Sequence, residues 1–315
     1  MLELSRKKIS IVTPCFNEQE NVVAVYEQVK DIFASLPQYD YEHIFIDNAS
    51  KDKTVEILKD IAKEDKRVKI IVNVRNFGHI RSPYHALLQT VGDAAIFLAA
   101  DLQDPPELIK KFFEQWEAGY EVVVGVRSNS EEKGLIKWAR QLYYVLLKMI
   151  TEDDHIKNFI GFGLYDRKFI DILKKLDDPY PYFRGLINEF GGLCAKVEYF
   201  QPTRKKGKTK NNFFTLYDVA MLGFVNHSKL PLRLASFIGF GMSMISFTVA
   251  LIYLIRKLLN WQEFQLGLAP LVVGIFLFAS VQLFFIGILG EYIGAIYTQV
   301  KHRPLVVEKE RINFD

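Results

Sequence analysis

Three side chains with acidic or amide oxygens stand close together in the sequence ADLQDPPE at residues 100–107: Asp101, Gln103 and Asp104. Carboxylate and amide oxygens are hard ligands, the type that Mg²⁺ or Mn²⁺ takes when it is bound together with substrate phosphates. The pattern therefore indicates a divalent metal and a phosphorylated ligand. Asp104 has an alternative role, because it directly precedes Pro105 and can cap the helix that the prolines open.

Two further polar groups follow apolar segments that resemble strands. Pro14, Asn17 and Glu18 follow the segment 9–13, and Asp47 ends the segment 42–47. In an open α/β sheet, ligands bind beyond the carboxyl ends of the strands. The same edge of the sheet would then carry all these groups together with the residues after a strand at 94–99.

Strands and helices alternate through residues 1–228, which predicts a mostly parallel sheet with helices on both faces. Asn17 and Glu20 have the spacing of a capping box, so we expect the first helix to begin there and to run to about residue 35. The sequence contains neither G-x-G-x-x-G nor G-x-x-x-x-G-K-[ST], so a dinucleotide fingerprint and a P-loop are both excluded.

Two long segments without a charged residue, 234–255 and 270–290, lie near the C-terminus, and they predict spans at about 234–255 and 270–292. Each is long enough to cross a hydrocarbon core of ~30 Å, although two buried helices of a soluble domain are the alternative. We predict a transmembrane hairpin over 229–300 between a cytoplasmic domain, 1–228, and a cytoplasmic tail, 301–315. Lys and Arg flank the hairpin on both outer sides, which places both termini in the cytoplasm and makes the chain an integral membrane protein.

Composition narrows the class of protein further. The 315 residues carry 40 Lys and Arg against 37 Asp and Glu, and the net charge of +3 is too balanced for a nucleic-acid binder. Two cysteines cannot make a disulfide framework, and half of the residues are hydrophobic, which excludes a disordered chain.

Six segments occur in the order found in family 2 glycosyltransferases: VTPCFNEQENV (12–22), IDNASKDKT (46–54), RNFG (75–78), ADLQDPPE (100–107), VVVGVR (122–127) and RKKGKTK (204–210). With the hairpin, the chain resembles the polyprenyl-phosphate glycosyltransferases, that is, bactoprenol glucosyltransferases and dolichyl-phosphate mannose synthases. The resemblance implies a GT-A fold, which is Rossmann-like, and Mg²⁺ or Mn²⁺ as cofactor. It also implies inverting transfer from a nucleotide-sugar donor, expected to be a UDP-sugar.

The acceptor implied by the resemblance is a polyprenyl phosphate, undecaprenyl or dolichyl, in the lipid bilayer of the plasma (inner) membrane. We also expect a homo-oligomer. Matching the family's functional residues one at a time assigns Pro14, Asn17, Glu18 and Asp47 to the nucleotide-sugar. It assigns Asp101 and Gln103 to the metal, and it assigns Arg127, Arg140 and Arg204 to the acceptor phosphate. Asp101 and Arg127 are the predicted catalytic residues.

The sequence departs from the family pattern at two places. Ala99 replaces the first aspartate of the Asp-x-Asp motif, and residues 158–164 (NFIGFGL) replace a stretch that often reads Asp-x-Gly-Asp-Phe-Arg-Leu in bactoprenol enzymes. A non-catalytic nucleotide-sugar binding protein is therefore one alternative. A processive polysaccharide synthase is the other, although the Gln-x-x-Arg-Trp motif of those enzymes is absent.

Overall fold

A computed structural model describes residues 6–128, 159–200, 230–259 and 268–314. The chain divides into two compact units. The first comprises Met1–Phe213 together with Lys301–Asp315, and the second comprises Phe214–Val300.

One mixed sheet forms the centre of the first unit. Its strands are β1 (Lys7–Cys15), β2 (Tyr39–Asp47), β3 (Val68–Asn73), β4 (Ala94–Phe97), β5 (Val122–Arg127), β6 (Phe159–Asp166), β7 (Cys194–Tyr199) and β8 (Glu308–Ile312). The eight strands lie in the order β7-β5-β6-β4-β1-β2-β3-β8. β1 is parallel to β2 and β4, β2 to β3, and β5 to β7. Only β6 and β8 run antiparallel to their neighbours within the described part of the sheet.

The helices of the first unit are α1 (Val22–Ala34), α2 (Thr54–Glu64), α3 (Gly78–Leu88), α4 (Ile109–Glu117), α5 (Arg167–Lys175) and α6 (Phe183–Phe190). A single 3₁₀ turn, Pro106–Leu108, leads into α4. The predicted α/β class with a mostly parallel sheet is confirmed.

Helices cover both faces of this sheet. Ile9 and Ile11 of β1 pack in a buried cluster with residues of α1 and α4, whereas Val12 packs in a second cluster with residues of α3 and α5. Alternate side chains of a strand point to opposite faces. Because both faces are covered, residues 9–13 of the strand are all buried, including the polar Ser10 and Thr13.

The first helix begins later than the sequence predicted. α1 starts at Val22 with Asn21 at its N-cap, and no side chain caps it. Glu18 instead accepts a hydrogen bond from Asn21 Nδ2 (2.6 Å), and Asn17 lies in the preceding loop. The capping-box prediction at Asn17 and Glu20 is therefore wrong, because Asn17 makes its hydrogen bonds to the loop after β2.

The segment 301–315, predicted to be a separate tail, belongs to the first unit. Its strand β8 pairs antiparallel with β3 and forms an edge of the sheet. Asn313 Nδ2 donates to the carbonyl oxygens of Ala62 and Val68, each at 2.8 Å. These contacts fix the C-terminal segment to α2 and β3.

Two long helices make up the described part of the second unit, α7 (Leu230–Leu259) and α8 (Leu268–Val300). The stretch Leu277–Val300 of α8 is long and apolar enough to cross a membrane, and α7 contains a shorter apolar stretch, Leu234–Val249. Among the residues described, one helix thus has the length and composition of a membrane span. It overlaps the predicted span 270–292.

Candidate active site

The loops that follow β1 and β2 are joined by hydrogen bonds at the carboxyl ends of these strands. Asn17 Oδ1 accepts from Lys51 N, and Asn17 N donates to Ser50 Oγ, both at 2.8 Å. Glu18 N donates to Thr54 Oγ1 (2.9 Å) at the first residue of α2. Asn17 has a φ of 56°, a left-handed conformation that asparagine adopts more readily than most residues. Two predicted nucleotide-binding residues are thus held against the loop that follows β2.

Asp47, the last residue of β2, is fully buried. Ser50 N donates to Asp47 Oδ2 (2.8 Å), and the Ser50 hydroxyl donates to Oδ1. Burial raises the pKa of the Asp47 carboxyl, whereas the hydrogen bonds from Ser50 act in the opposite direction. Pro14 lies on the adjacent strand, where it pairs with Ile46, so Pro14 and Asp47 lie at the same carboxyl end of the sheet.

A third loop, between β3 and α3, is tied to the same place through Asn48. Asn48 Nδ2 donates to Asn76 Oδ1 and to Gly78 O, both at 3.0 Å, and Asn48 Oδ1 accepts from Phe77 N (2.9 Å). Asn73 Nδ2 also donates to Asn48 Oδ1 (3.2 Å). The loops that carry the motifs at 46–54 and 75–78 are therefore joined to each other by hydrogen bonds at the carboxyl ends of β2 and β3. The sequence analysis did not single out Asn48, although it lies inside one of these motifs.

The Asp101-Leu102-Gln103 turn follows β4, which is the strand on the other side of β1. Leu102 has a φ of 57°, which is uncommon for a residue with a branched side chain. Gln103 N donates to Asp101 Oδ1 (3.2 Å), and both side chains are partly exposed. Backbone strain of this kind is often found at functional sites.

This turn offers few side chains that could bind a metal ion. In the described ranges no group of three or more His, Cys, Asp or Glu side chains is arranged to hold a metal ion. One carboxylate and one amide oxygen nevertheless suit Mg²⁺, because this ion usually keeps several waters and takes further ligands from substrate phosphates. Asp101 and Gln103 therefore fit a divalent ion that is bound jointly with a nucleotide.

Of the three arginines predicted at the acceptor phosphate, the structure places one. Arg127 ends β5 and is partly buried, while Arg140 and Arg204 lie outside the described residues. Arg127 is the register partner of Tyr199 on β7, and the Tyr199 hydroxyl donates to Asp104, the residue after Gln103.

Asp104 does not cap the helical turn at Pro106; Pro105 occupies the N-cap position, and no side chain caps the turn. The Asp104 carboxyl is 1% exposed and accepts a hydrogen bond from the Tyr199 hydroxyl (2.6 Å). Burial raises the pKa of Asp104 to about 6. Tyr199 was missed by the sequence analysis because it ends a strand, β7, that carries no recognisable motif.

The two departures from the family pattern have structural settings. Ala99 is partly exposed between the buried residues Leu98 and Ala100, so the turn after β4 leaves its side chain beside the predicted metal ligands in the sequence. Of the stretch that lacks the two aspartates, Asn158 lies outside the described residues, and 159–164 form most of β6, with Phe159 and Phe162 buried. Gly161 takes the place of one aspartate and has a φ of 111°, a conformation that strains any residue with a side chain.

Comparison with known families identifies the class of protein. Residues 10–190 match glycosyl transferase family 2, which is more than half of the chain. The chain belongs to this family and is a glycosyltransferase with a GT-A-like α/β fold.

Relatives with known names extend over nearly the whole chain. The uncharacterized glycosyltransferase YkcC of Bacillus subtilis (strain 168) is 37% identical over 299 residues, which are 95% of this chain and 92% of that protein. The bactoprenol glucosyl transferase of Shigella phage SfX is 34% identical over 305 residues, 96% and 99% of the two chains. The resemblance to bactoprenol glucosyltransferases that the motifs indicated is confirmed.

Solved structures show more distant similarity. Mannosyl-3-phosphoglycerate synthase from Rubrobacter xylanophilus is 16% identical, with a TM-score of 0.48 and coverage of 68% of this chain and 71% of that one. Glucosyl-3-phosphoglycerate synthase from Mycobacterium tuberculosis, in complex with Mn²⁺, UDP and phosphoglyceric acid, is 19% identical with a TM-score of 0.47, over 68% and 75% of the two chains.

Proposed function

We propose that this glycosyltransferase transfers a sugar from a nucleotide-sugar to a polyprenyl phosphate in the membrane, with inversion at the anomeric carbon. The observation that carries the proposal is that the loops after β1, β2 and β3 are hydrogen-bonded to one another, and that the Asp101 turn follows the parallel neighbour β4 at the same carboxyl end of the sheet. Full-length similarity to bactoprenol glucosyltransferases supports the lipid acceptor.

The donor is proposed to bind where Pro14, Asn17, Glu18 and Asp47 meet. Hydrogen bonds between two loops hold Asn17 and Glu18, and Ser50 holds the Asp47 carboxyl, so little ordering is left to occur when the nucleotide binds. We propose a UDP-sugar as the donor.

Asp101 and Gln103 are proposed to hold Mg²⁺ or Mn²⁺ together with the donor diphosphate. When bound, such an ion stabilises the negative charge that develops on the leaving diphosphate. Loss of the carboxylate at position 99 leaves Asp101 as the principal charged ligand on this turn.

Arg127 is proposed to bind the acceptor phosphate, together with Arg140 and Arg204. A guanidinium can donate two parallel hydrogen bonds to a phosphate, which fixes the orientation of the attacking oxygen. That oxygen forms the new bond to the anomeric carbon while the bond from that carbon to the diphosphate breaks, and the configuration inverts.

A general base is not required by this chemistry. A phosphomonoester has a second pKa of roughly 6, so it is mostly a dianion near neutral pH and already nucleophilic. The absence of both aspartates from residues 158–164 is then compatible with catalysis. Asp104 is buried and engaged by Tyr199, which does not favour a role in proton transfer.

The proposed site of action is the cytoplasmic face of the plasma (inner) membrane, where a C-terminal hairpin anchors the enzyme, and we propose a homo-oligomer. One apolar helix, Leu277–Val300, supports membrane association. The shorter apolar stretch in α7 supports the second span.

Incorporation of label into lipid tests the proposal. Full-length protein in detergent would receive Mn²⁺, undecaprenyl phosphate and, in separate reactions, radiolabelled UDP-glucose, UDP-N-acetylglucosamine or GDP-mannose. We expect label in solvent-extractable lipid with one of the UDP-sugars. Label in an insoluble polymer would indicate a polysaccharide synthase, and donor binding without incorporation would indicate a non-catalytic protein.

A further inference from the structure

A buried polar chain connects two parts of the site that lie far apart in sequence. The Tyr199 hydroxyl donates to Asp104 Oδ1 (2.6 Å), and Asp104 directly follows the turn that carries Asp101 and Gln103. Asp104 and Tyr199 are both buried, at 1% and 6% exposure. A hydrogen bond in such surroundings is stronger than one in water, and its loss leaves a buried acceptor without a partner.

Arg127 adjoins the other side of this pair. β5 and β7 are parallel, and Arg127 is the register partner of Tyr199. The charge of Arg127 lowers the Asp104 pKa against burial, and both its hydrogen bond and its charge lower the Tyr199 pKa against burial. A guanidinium has only donors and a phenol oxygen can also accept, so Arg127 beside Tyr199 is able to donate to the hydroxyl that donates to Asp104.

The backbone of β5 lies close to β7 around Tyr199. Ser128 N donates to Tyr199 O (2.9 Å), which continues the pairing of the two strands beyond Arg127. At Gly125, a Cβ would lie 3.1 Å from the Tyr199 ring and 2.9 Å from the Phe162 ring. A side chain at position 125 would therefore force the Phe162 ring, the Tyr199 ring or both to shift.

We propose that Tyr199 and Asp104 are positioning residues that hold the Arg127 guanidinium in place and tie it to the metal-binding turn. This inference rests on the proposed function, in which Arg127 binds the acceptor phosphate. Because Tyr199 lies beside Arg127 in the strand register and donates to the residue after Gln103, it fixes the acceptor group relative to the donor group. Small errors in such placement cost large factors in rate.

The first test measures the accessibility of Arg127 without using activity. Full-length protein is treated with phenylglyoxal, which modifies arginine, and the peptide containing Arg127 is quantified by mass spectrometry. We expect Tyr199→Phe to raise the rate of modification ~5-fold, the effect of one lost hydrogen bond. Tyr26→Phe is the matched control, since it also removes a hydrogen bond from a tyrosine to an aspartate (Asp65, 3.1 Å).

The second test is a double-mutant cycle on transfer to the lipid. Tyr199→Phe and Arg127→Lys should each lower kcat/KM for the acceptor, with the KM for the donor unchanged, and the double variant should be no slower than Arg127→Lys alone. Contacting residues that act together are non-additive in this way. Tyr26→Phe should combine with Arg127→Lys additively.

Each outcome decides the proposal. Unchanged modification of Arg127 in Tyr199→Phe, or fully additive effects in the cycle, would overturn it. If Tyr199→Phe does not fold, Asp104→Asn replaces it in both tests and should also raise the modification rate, because it removes the negative charge near Arg127. If no lipid is labelled by the wild-type protein, the proposed function fails, and the modification rates alone decide the positioning role.

Discussion

At the scale of single residues, the turn after β4 concentrates the proposed metal site on Asp101. Because Ala99 supplies no carboxylate, Asp101→Ala should lower transfer by ~10²-fold or more, as the loss of one charge-stabilising group typically does. Ala99→Asp should keep activity and strengthen Mn²⁺ binding. The measurement is the rate of lipid labelling against Mn²⁺ concentration.

The control for this prediction is Asp171→Ala, because Asp171 is an exposed carboxylate on α5 with one long ion pair to Arg167 (3.9 Å). It should retain wild-type activity. An Asp101→Ala variant as active as this control would show that Asp101 holds no essential ion.

A second residue, His43, makes folding depend on pH. His43 is fully buried on β2 with Nε2 at 2.9 Å from Thr13 Oγ1, and burial lowers its pKa to about 3. The pKa in the unfolded chain is ~6.5, so between these values the unfolded chain binds more protons and stability falls as the pH falls. The contribution approaches ~1.4 kcal/mol per pH unit.

Denaturant unfolding of the full chain in detergent at pH 7, 6 and 5 measures this effect. His43→Gln should lose stability less steeply with falling pH than the wild type does. His302→Gln removes an exposed histidine and should behave like the wild type. Equal slopes for His43→Gln and the wild type would contradict the account.

At the scale of elements, the loops after β1, β2 and β3 act as one unit because Asn48 joins them. Asn48→Ala removes four hydrogen bonds and should lower the free energy of unfolding by about 2–4 kcal/mol, since each typically contributes about 1 kcal/mol. It should also raise the KM for the donor. Thermal unfolding and donor titration measure the two effects.

The matched control is Asn313→Ala, which loses three side-chain hydrogen bonds just after β8. It should lower stability but leave the KM for the donor unchanged. If Asn48→Ala changes stability alone, the loops do not position the donor.

The sequence predicted the parallel strands β1, β2 and β4 because each contains a buried apolar run, but it did not predict β7, which is also parallel to its neighbour. β8 could not be predicted in the same way. Its residues Glu308, Lys309, Glu310 and Arg311 are charged, and its partner β3 is more than 200 residues away in the chain. A polar edge strand has the composition of a tail, and only tertiary contacts such as Lys59–Glu310 (2.6 Å) distinguish it.

The candidate site also contains some residues that the sequence predicted and one that it did not. Asp47, Asp101 and Arg127 were predicted from motifs that end strands, whereas Tyr199 was not, because its importance comes from a contact with Asp104 across 95 residues. Gly161 shows a third case, in which the sequence reveals the loss of an aspartate but only the structure shows that the backbone there has a φ of 111°.

At the scale of the whole molecule, transfer at the cytoplasmic face of the membrane requires a hairpin with both termini in the cytoplasm. Lys309 and Arg311, which the sequence analysis counted among the flanking positive charges, belong to β8 of the first unit. The remaining Lys and Arg before 234 and at 301–303 still favour the same orientation. Reporter fusions after Asp315 and at Gln262 should therefore report opposite sides of the membrane, and the same side at both would contradict the hairpin.

In the proposed reaction, the acceptor is a lipid phosphate whose own oxygen attacks the sugar. The most direct measurement compares, with full-length protein, Mn²⁺ and the radiolabelled UDP-sugar, the labelling of undecaprenyl phosphate and of undecaprenol of the same chain length. If the phosphate oxygen attacks, the phosphate should be labelled and the alcohol should not, because the alcohol is not ionised and needs a base. Equal labelling of both lipids, or labelling of neither, would contradict it.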